Sequence, residues 1–220
     1  MKNKRLTLLC GHYGSGKTNI AVNLAMELKK QYEKVAIADL DIVNPYFRTK
    51  DSRDELEANG IRLIASEYAG SNVDIPALPA EVYSLTQDKS VTAVIDVGGD
   101  DRGALALGRW APEILAEGDY DMLLVINSSR PLTRDATSTI EVMREIEFAG
   151  GIPFTGIVNN TNIGEETEPQ DILNSVAYAD EVSEKTGLPV VMTCADIRLE
   201  SELSGKIDNL FFLKLQEKIK

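Results

Sequence analysis

The sequence has few of the residues from which metal clusters are built. Two of its 220 residues are cysteines, and one is a histidine. Cys10 and Cys194 each lie at the end of a predicted strand, and neither belongs to a C-x-x-C pair. This spacing argues against an iron–sulfur or zinc site made by one subunit. We expect two buried, reduced thiols.

Basic residues are outnumbered by acidic ones. Lys and Arg total 23 against 35 Asp and Glu, which gives a formal net charge of −12. The one basic cluster is Lys2, Lys4 and Arg5. An acidic surface repels nucleic acid and anionic lipid unless a local basic patch offsets it, so we expect neither as a partner.

Long hydrophobic runs are missing as well. No apolar stretch approaches the roughly 20 residues of a membrane span. The run Leu6 to Cys10 is too short for the apolar region of a signal peptide. We therefore expect a cytoplasmic protein.

The sequence does contain a complete Walker A motif, G-x-x-x-x-G-K-T, between an apolar run of strand length and a helical pattern. That context is typical of a P-loop. The glycines let consecutive backbone N–H groups turn inward toward a phosphate chain, and the following helix begins there too. Lys17 can reach the β- and γ-phosphates, and the Thr18 hydroxyl can ligate Mg²⁺. The candidate nucleotide-binding residues here are Gly11, His12, Tyr13, Gly14, Ser15, Gly16, Lys17, Thr18 and Asn19.

Apolar strand-like runs alternate with helical patterns along the whole chain. The alternation predicts an α/β fold, a three-layer sandwich with a mostly parallel central sheet of about seven strands, in one nucleotide-binding domain over 1–220. The predicted strands are 5–10, 35–38, 62–65, 91–97, 122–126, 154–158 and 189–193. The predicted helices are 17–31, 51–59, 77–87, 103–117, 133–149, 169–187 and 199–218.

Acidic residues follow two of these strands, where a parallel sheet binds ligands. Asp39 and Asp41 end the second strand, and one of them could hold a Mg²⁺-bound water while the other orients an attacking water. An ordinary polar exit from the strand is the equal alternative. Asp96 ends an apolar strand as in a Walker B motif, and Gly99 completes D-x-x-G, so its amide could meet a γ-phosphate.

Polar residues after the last two predicted strands are candidates for contact with a nucleotide base. Asn159 and Asn160 can each offer a donor and an acceptor, and Asp196 follows the seventh strand. Ordinary loop polarity is the alternative for all three. The guanine-reading pattern N-K-x-D is absent from the sequence, which favours adenine.

With these motifs the chain resembles the MinD/ParA/CobQ/CobB group of P-loop proteins, of the class that includes nitrogenase iron protein and the signal-recognition GTPases. The resemblance rests on GHYGSGKT, DLDIVNP, DVGG and GIVNN. It implies ATP and Mg²⁺ as cofactors, with Thr18, Asp39 and Asp96 in the metal shell. It also implies that Lys17 holds phosphate, that Asp41 positions the attacking water and that Gly99 senses the γ-phosphate. Asn159, with Asn160 as the fallback, matches the base-reading asparagine, and members usually dimerise face to face.

Two features depart from that group. His12 occupies the position of a lysine that reaches across the dimer, which puts that mechanism in question. The chain also has no C-x-x-C for a bridging metal. Residues 210–220 resemble the membrane-targeting tail of MinD, but a last helix that packs on the domain is favoured because the polar face is not cleanly basic.

The resulting leading hypothesis is a slow ATPase that acts as a nucleotide-gated switch on a partner protein, with a nucleotide-dependent homodimer as one form. A small-molecule enzyme that phosphorylates a carboxylate is the second hypothesis, with a substrate pocket near 44–48 and 70–76. A nucleotide sensor that does not hydrolyse is the third. On the loop after Asp41, Tyr46, Phe47 and Arg48 are candidates for partner contact, with core packing an equal alternative for the two aromatic residues.

Overall fold

The computed structural model describes residues 4–40, 53–65, 80–99 and 101–215. Its centre is a sheet of eight strands in the order β3-β2-β4-β1-β5-β6-β7-β8, and every pair of neighbouring strands is parallel. The strands are β1 (Leu6–Cys10), β2 (Val35–Leu40), β3 (Ile61–Ala65), β4 (Thr92–Val97), β5 (Tyr120–Ile126), β6 (Gly156–Asn159), β7 (Val190–Asp196) and β8 (Leu210–Leu213).

Helices cover both faces of this sheet, so the predicted three-layer α/β fold is confirmed. The α-helices are α1 (Lys17–Lys29), α2 (Arg53–Ala58), α3 (Ser84–Gln87), α4 (Asp101–Glu117), α5 (Ala136–Gly150), α6 (Pro169–Thr186) and α7 (Glu200–Leu203). None of the helices in the described ranges is long and apolar enough to cross a membrane.

The continuous apolar runs of the central strands arise because successive side chains enter different cores. In β1, Leu6 and Leu8 pack in the core beneath α4, α5 and α6, whereas Leu9 packs in the core beneath α1. The β4 residues follow the same alternation. Its Val94 belongs to the α1 core, so the next residue but one, Asp96, also points to the α1 face.

The predicted C-terminal helix over 199–218 is wrong. The helical turn α7 ends at Leu203, and residues 210–213 form β8, which pairs with β7. Two residues with positive φ, Gly205 at 77° and Asn209 at 55°, lie between them and stop a helix. The run LFFL suits a strand, because aromatic side chains pack well on a pleated surface.

The eighth strand, β8, comes in addition to the roughly seven strands that the sequence predicts. Its backbone continues into a contact with α1, since the Asn23 side chain donates to the Lys214 carbonyl at 3.0 Å and accepts from the Lys214 amide at 2.9 Å. Helix α1 therefore touches both the centre of the sheet and the segment that follows its last strand.

Candidate functional site

The Walker A residues Gly11 to Gly16 connect β1 to α1, and Lys17 and Thr18 begin α1, as the motif predicts. Gly11 and Gly16 have φ of 151° and 91°, conformations that side chains with a Cβ rarely adopt. A Cβ on Gly11 would lie 2.3 Å from the Val125 carbonyl oxygen, so the loop passes directly against β5. Glycine is required at both positions by the backbone itself.

The Lys17 side chain is buried in this loop, with 5% of its surface exposed. Its ammonium donates to the carbonyl oxygens of Gly11 at 3.0 Å and His12 at 3.3 Å. A buried ammonium group is tolerated because those carbonyls solvate it. The charge is thus held at the loop, where a phosphate group would complete its set of acceptors.

The end of β4 meets the start of α1 through a short hydrogen bond. The Thr18 hydroxyl donates to Asp96 Oδ2 at 2.6 Å, and Asp96 is 1% exposed. Asp39 lies directly beside Asp96 in the β2–β4 register, and it is also buried. The structure therefore brings together Thr18, Asp39 and Asp96, the three predicted metal-site residues.

This donor set fits a magnesium ion. Mg²⁺ prefers oxygen ligands and is bound in nucleotide sites by one or two carboxylates, waters and phosphate oxygens. Two carboxylates and a hydroxyl meet that requirement. The described ranges contain no group of three or more His, Cys, Asp and Glu residues that could hold a metal ion. This includes the present site, which has two carboxylates.

The loop after β4 packs against the Walker A loop at Gly99. A Cβ there would lie 2.6 Å from the Tyr13 amide nitrogen and 2.9 Å from Lys17 Nζ. No side chain fits in that space. The D-x-x-G glycine predicted to sense a γ-phosphate therefore lies against the two groups, an amide and an ammonium, that a γ-phosphate would approach.

Two side chains from other loops hold consecutive carbonyls of the Walker A loop. Arg130 Nε donates to the Gly14 carbonyl at 2.9 Å, and Asn160 Nδ2 donates to the Ser15 carbonyl at 2.6 Å. Asn160 is the fallback candidate for the base in the sequence, and Arg130 belongs to none of the sequence motifs. The signal for Arg130 is strand order, since it follows β5, which pairs with β1.

The other base candidates have internal partners. Asn159 is fully buried; its amide donates to Ser175 Oγ at 2.8 Å, and its oxygen accepts from the Thr161 amide at 3.2 Å. Asp196 accepts from the amide and the guanidinium of Arg198 at 3.1 and 3.0 Å. Both side chains therefore have hydrogen-bond partners within the fold, and their contact with a base stays a prediction.

The remaining Walker A side chains differ in exposure. His12 is partly buried and its Nδ1 lies 2.9 Å from the Tyr13 carbonyl oxygen, whereas the Tyr13 ring is 55% exposed. Ser15 is fully buried. Asn19 lies in the first turn of α1, and its carbonyl accepts from the Asn23 amide at 2.8 Å.

Several candidates lie outside the described residues. They are Asp41, Tyr46, Phe47 and Arg48, together with the predicted substrate pocket near 44–48 and 70–76. Their assignment stays a prediction.

Cys10 lies under the Walker A loop. Burial raises the pKa of its thiol to about 12, which the Lys17 ammonium opposes and the Asp96 carboxylate reinforces. Burial also raises the pKa of the Cys194 thiol. Both cysteines are free, as expected from the sequence, and neither forms a reactive thiolate near neutral pH.

Solved structures with a similar fold include signal-recognition proteins. FtsY from Thermotoga maritima is 19% identical with a TM-score of 0.56, covering 89% of this chain and 63% of that one. FtsY from Elizabethkingia anophelis in complex with GDP is 17% identical with a TM-score of 0.55, covering 88% of this chain and 58% of that one.

The 54 kDa signal recognition particle protein from Aeropyrum pernix, also in complex with GDP, is 20% identical with a TM-score of 0.54; the match covers 87% of this chain and 41% of that one. The chain has the fold of a P-loop NTPase. No family model matches the sequence, and no curated protein does. The chain spans less than two thirds of the length of these neighbours, so the P-loop NTPase fold is what the likeness establishes.

Proposed function

We propose that the chain is one Mg²⁺-dependent, ATP-binding domain that acts as a slow ATPase and a nucleotide-gated switch on a partner protein. The observation that carries this proposal is the hydrogen bond of 2.6 Å between Thr18 and Asp96. It joins the Walker A and Walker B positions, beside a buried Lys17 and a Gly99 that packs on the same loop. A glycine-rich turn without a ligand has no need of these groups.

Each residue has a defined task in this proposal. Inward-facing N–H groups of the Walker A loop bind the phosphate chain, and Lys17 exchanges its loop carbonyls for phosphate oxygens. Thr18, Asp39 and Asp96 hold Mg²⁺, which neutralises charge on the phosphates. Asp41 orients the attacking water, in line with the resemblance to the MinD/ParA group.

The switch itself is assigned to the loop after β4. Gly99 lies against Tyr13 and Lys17, so a γ-phosphate that enters between them must contact this loop or move it. Loss of that phosphate would release the loop, which is a common way in which hydrolysis is converted into a change of partner affinity.

The base is proposed to be adenine, since N-K-x-D is absent. The signal-recognition neighbours crystallised with GDP make guanine the alternative. Comparable affinity for GTP and ATP would remove the adenine assignment.

Calorimetric titration of the intact chain with ATP, with and without Mg²⁺, tests the proposal. We expect Lys17→Ala to weaken ATP binding by about 10- to 100-fold, because a charge-assisted contact to phosphate is lost. Lys30→Ala is the matched control, since that ammonium pairs with Glu27 at the exposed end of α1. Unchanged ATP binding by Lys17→Ala would contradict the proposal, as would a failure of the unmodified chain to bind any nucleotide.

Light scattering of Asp41→Ala with Mg²⁺ and either ATP or ADP tests the gating. A dimer with ATP and a monomer with ADP is the expected result. A monomer in both states, with ATP shown to be bound, would remove the homodimer from the proposal and leave a partner protein as the target of the switch.

A further inference from the structure

Arg130 lies against the Walker A loop without being part of its motif. Its Nε donates to the Gly14 carbonyl at 2.9 Å. A Cβ built on Gly14 would lie 3.5 Å from Nε and 3.8 Å from Cζ, so the guanidinium is in van der Waals range of the turn itself. The guanidinium of Arg130 is therefore in direct contact with the Walker A loop.

The turn that presents Arg130 is fixed in place. The Arg130 amide donates to the Asn127 carbonyl at 3.1 Å, and the Thr133 hydroxyl donates to the same carbonyl at 2.7 Å. The fully buried Asn127 also joins this turn to the loop after β6, since its amide donates to the Asn162 carbonyl at 3.2 Å. The backbone that carries Arg130 is therefore already ordered before a ligand binds.

Most of the N–H donors of Arg130 have no partner among the residues that the structure describes. A guanidinium has five N–H groups, and within the described ranges its side chain makes one hydrogen bond, to Gly14, and no ion pair. The chain as a whole carries a net charge of −12, so carboxylates for pairing are abundant. Among the described residues, Arg130 is held beside the proposed phosphate loop and not by a carboxylate. Its planar guanidinium can therefore pair with phosphate oxygens, which match its geometry.

We propose that Arg130 is a second cationic ligand of the phosphate chain, with its Nε holding the Gly14 carbonyl and its Nη groups binding phosphate oxygens beyond the α-phosphate. This inference rests on the proposed nucleotide binding. Its ligand is the polyphosphate part of a nucleoside di- or triphosphate. Arg130 therefore adds a second positive charge beside the loop, next to Lys17.

Calorimetric titration with ATP, ADP and AMP at several salt concentrations tests this assignment. The variants are Arg130→Gln, which removes the charge, and Arg130→Lys, which keeps it. Arg134→Gln is the matched control, because it removes the same charge from an exposed side chain four residues along the chain. That side chain pairs with Asp135. Thermal unfolding of each variant without nucleotide shows whether the fold is intact.

We expect Arg130→Gln to lower the affinity for ATP about tenfold or more, with a weaker salt dependence, and Arg130→Lys to restore part of the loss. The affinity of Arg130→Gln for AMP should be unchanged, and so should the affinity of Arg134→Gln for ATP. An equal loss for AMP, ADP and ATP, or wild-type affinity in Arg130→Gln, would overturn the inference while the proposed function stands. If the unmodified chain binds no nucleotide, the proposed function fails first.

Discussion

The proposed phosphate side and the proposed base side of this fold use polar side chains in different ways. At the ends of β1 and β4, polar groups are arranged around a backbone loop, and Lys17, Thr18 and Asp96 contact one another or the loop. At the ends of β6 and β7, Asn159 and Asp196 are bonded to Ser175 and Arg198. The difference teaches that polar groups at the ends of β1 and β4 meet around one loop, whereas those at the ends of β6 and β7 are bonded within their own region.

The test with the largest expected effect replaces one glycine on the proposed phosphate side and one on the proposed base side. Gly16→Ala forces a Cβ to 2.2 Å from Asn160 Nδ2 at φ +91°, so the side chain that supports the Walker A loop must move. We expect ATP affinity to fall roughly 10- to 100-fold, since both backbone strain and the lost support act on the loop. The measurement is calorimetric titration.

Gly164→Ala is the control on the base side. It introduces the same kind of strain at φ +80°, but its Cβ would meet nothing within 4 Å. The expected result is a stability loss of about 1 kcal/mol with unchanged ATP affinity. Equal losses of affinity in the two variants would break the comparison.

A second test separates the neighbouring asparagines after β6. Asn159→Ala leaves Ser175 Oγ and the Thr161 amide without their buried partner, so we expect the free energy of unfolding to fall by about 1 to 2 kcal/mol. Urea denaturation measures this change. A shift of more than about tenfold in the ATP-to-GTP affinity ratio at unchanged stability would show instead that Asn159 reads the base.

The smallest expected effect concerns Cys10, which lies under the phosphate side. In the folded protein the pKa of this thiol is raised from 9.0 to about 12, so the unfolded chain binds fewer protons than the folded one between those values. Stability should therefore fall as the pH rises from about 9, by about 1 kcal/mol per pH unit from this group. Urea denaturation at pH 8, 9 and 10 should show a shallower decline for Cys10→Ala than for the unmodified chain. Identical slopes would contradict the assignment.

The parts of the fold that could be predicted from the sequence are those governed by local pattern. Continuous apolar runs such as 91–97 and 122–126 indicated buried parallel strands, and the Walker A motif indicated its own position between a strand and a helix. The sequence predicts only that Asp39 and Asp96 lie at the same edge of the sheet. It does not predict that they are direct neighbours, because strand order depends on contacts between distant segments.

The features that the sequence did not predict also depend on contacts between distant segments. Residues 210–213 are apolar on consecutive positions, and that short run suits a helix or a strand until β7 provides an edge to pair with. Arg130 carries no motif, because its role arises from the adjacency of β5 and β1. Asn160 stays the fallback candidate for the base, and nothing local in GIVNN reveals that its amide also reaches the Ser15 carbonyl.

The contact between Asn23 and Lys214 has a consequence for self-association. Among the described strands, β8 ends the sheet, and an exposed edge can template the addition of another chain. Asn23 occupies both the amide and the carbonyl of Lys214, directly after Leu213. An incoming strand therefore finds an edge of four residues before its ladder is interrupted, and so short an edge gives an aggregate little to build on.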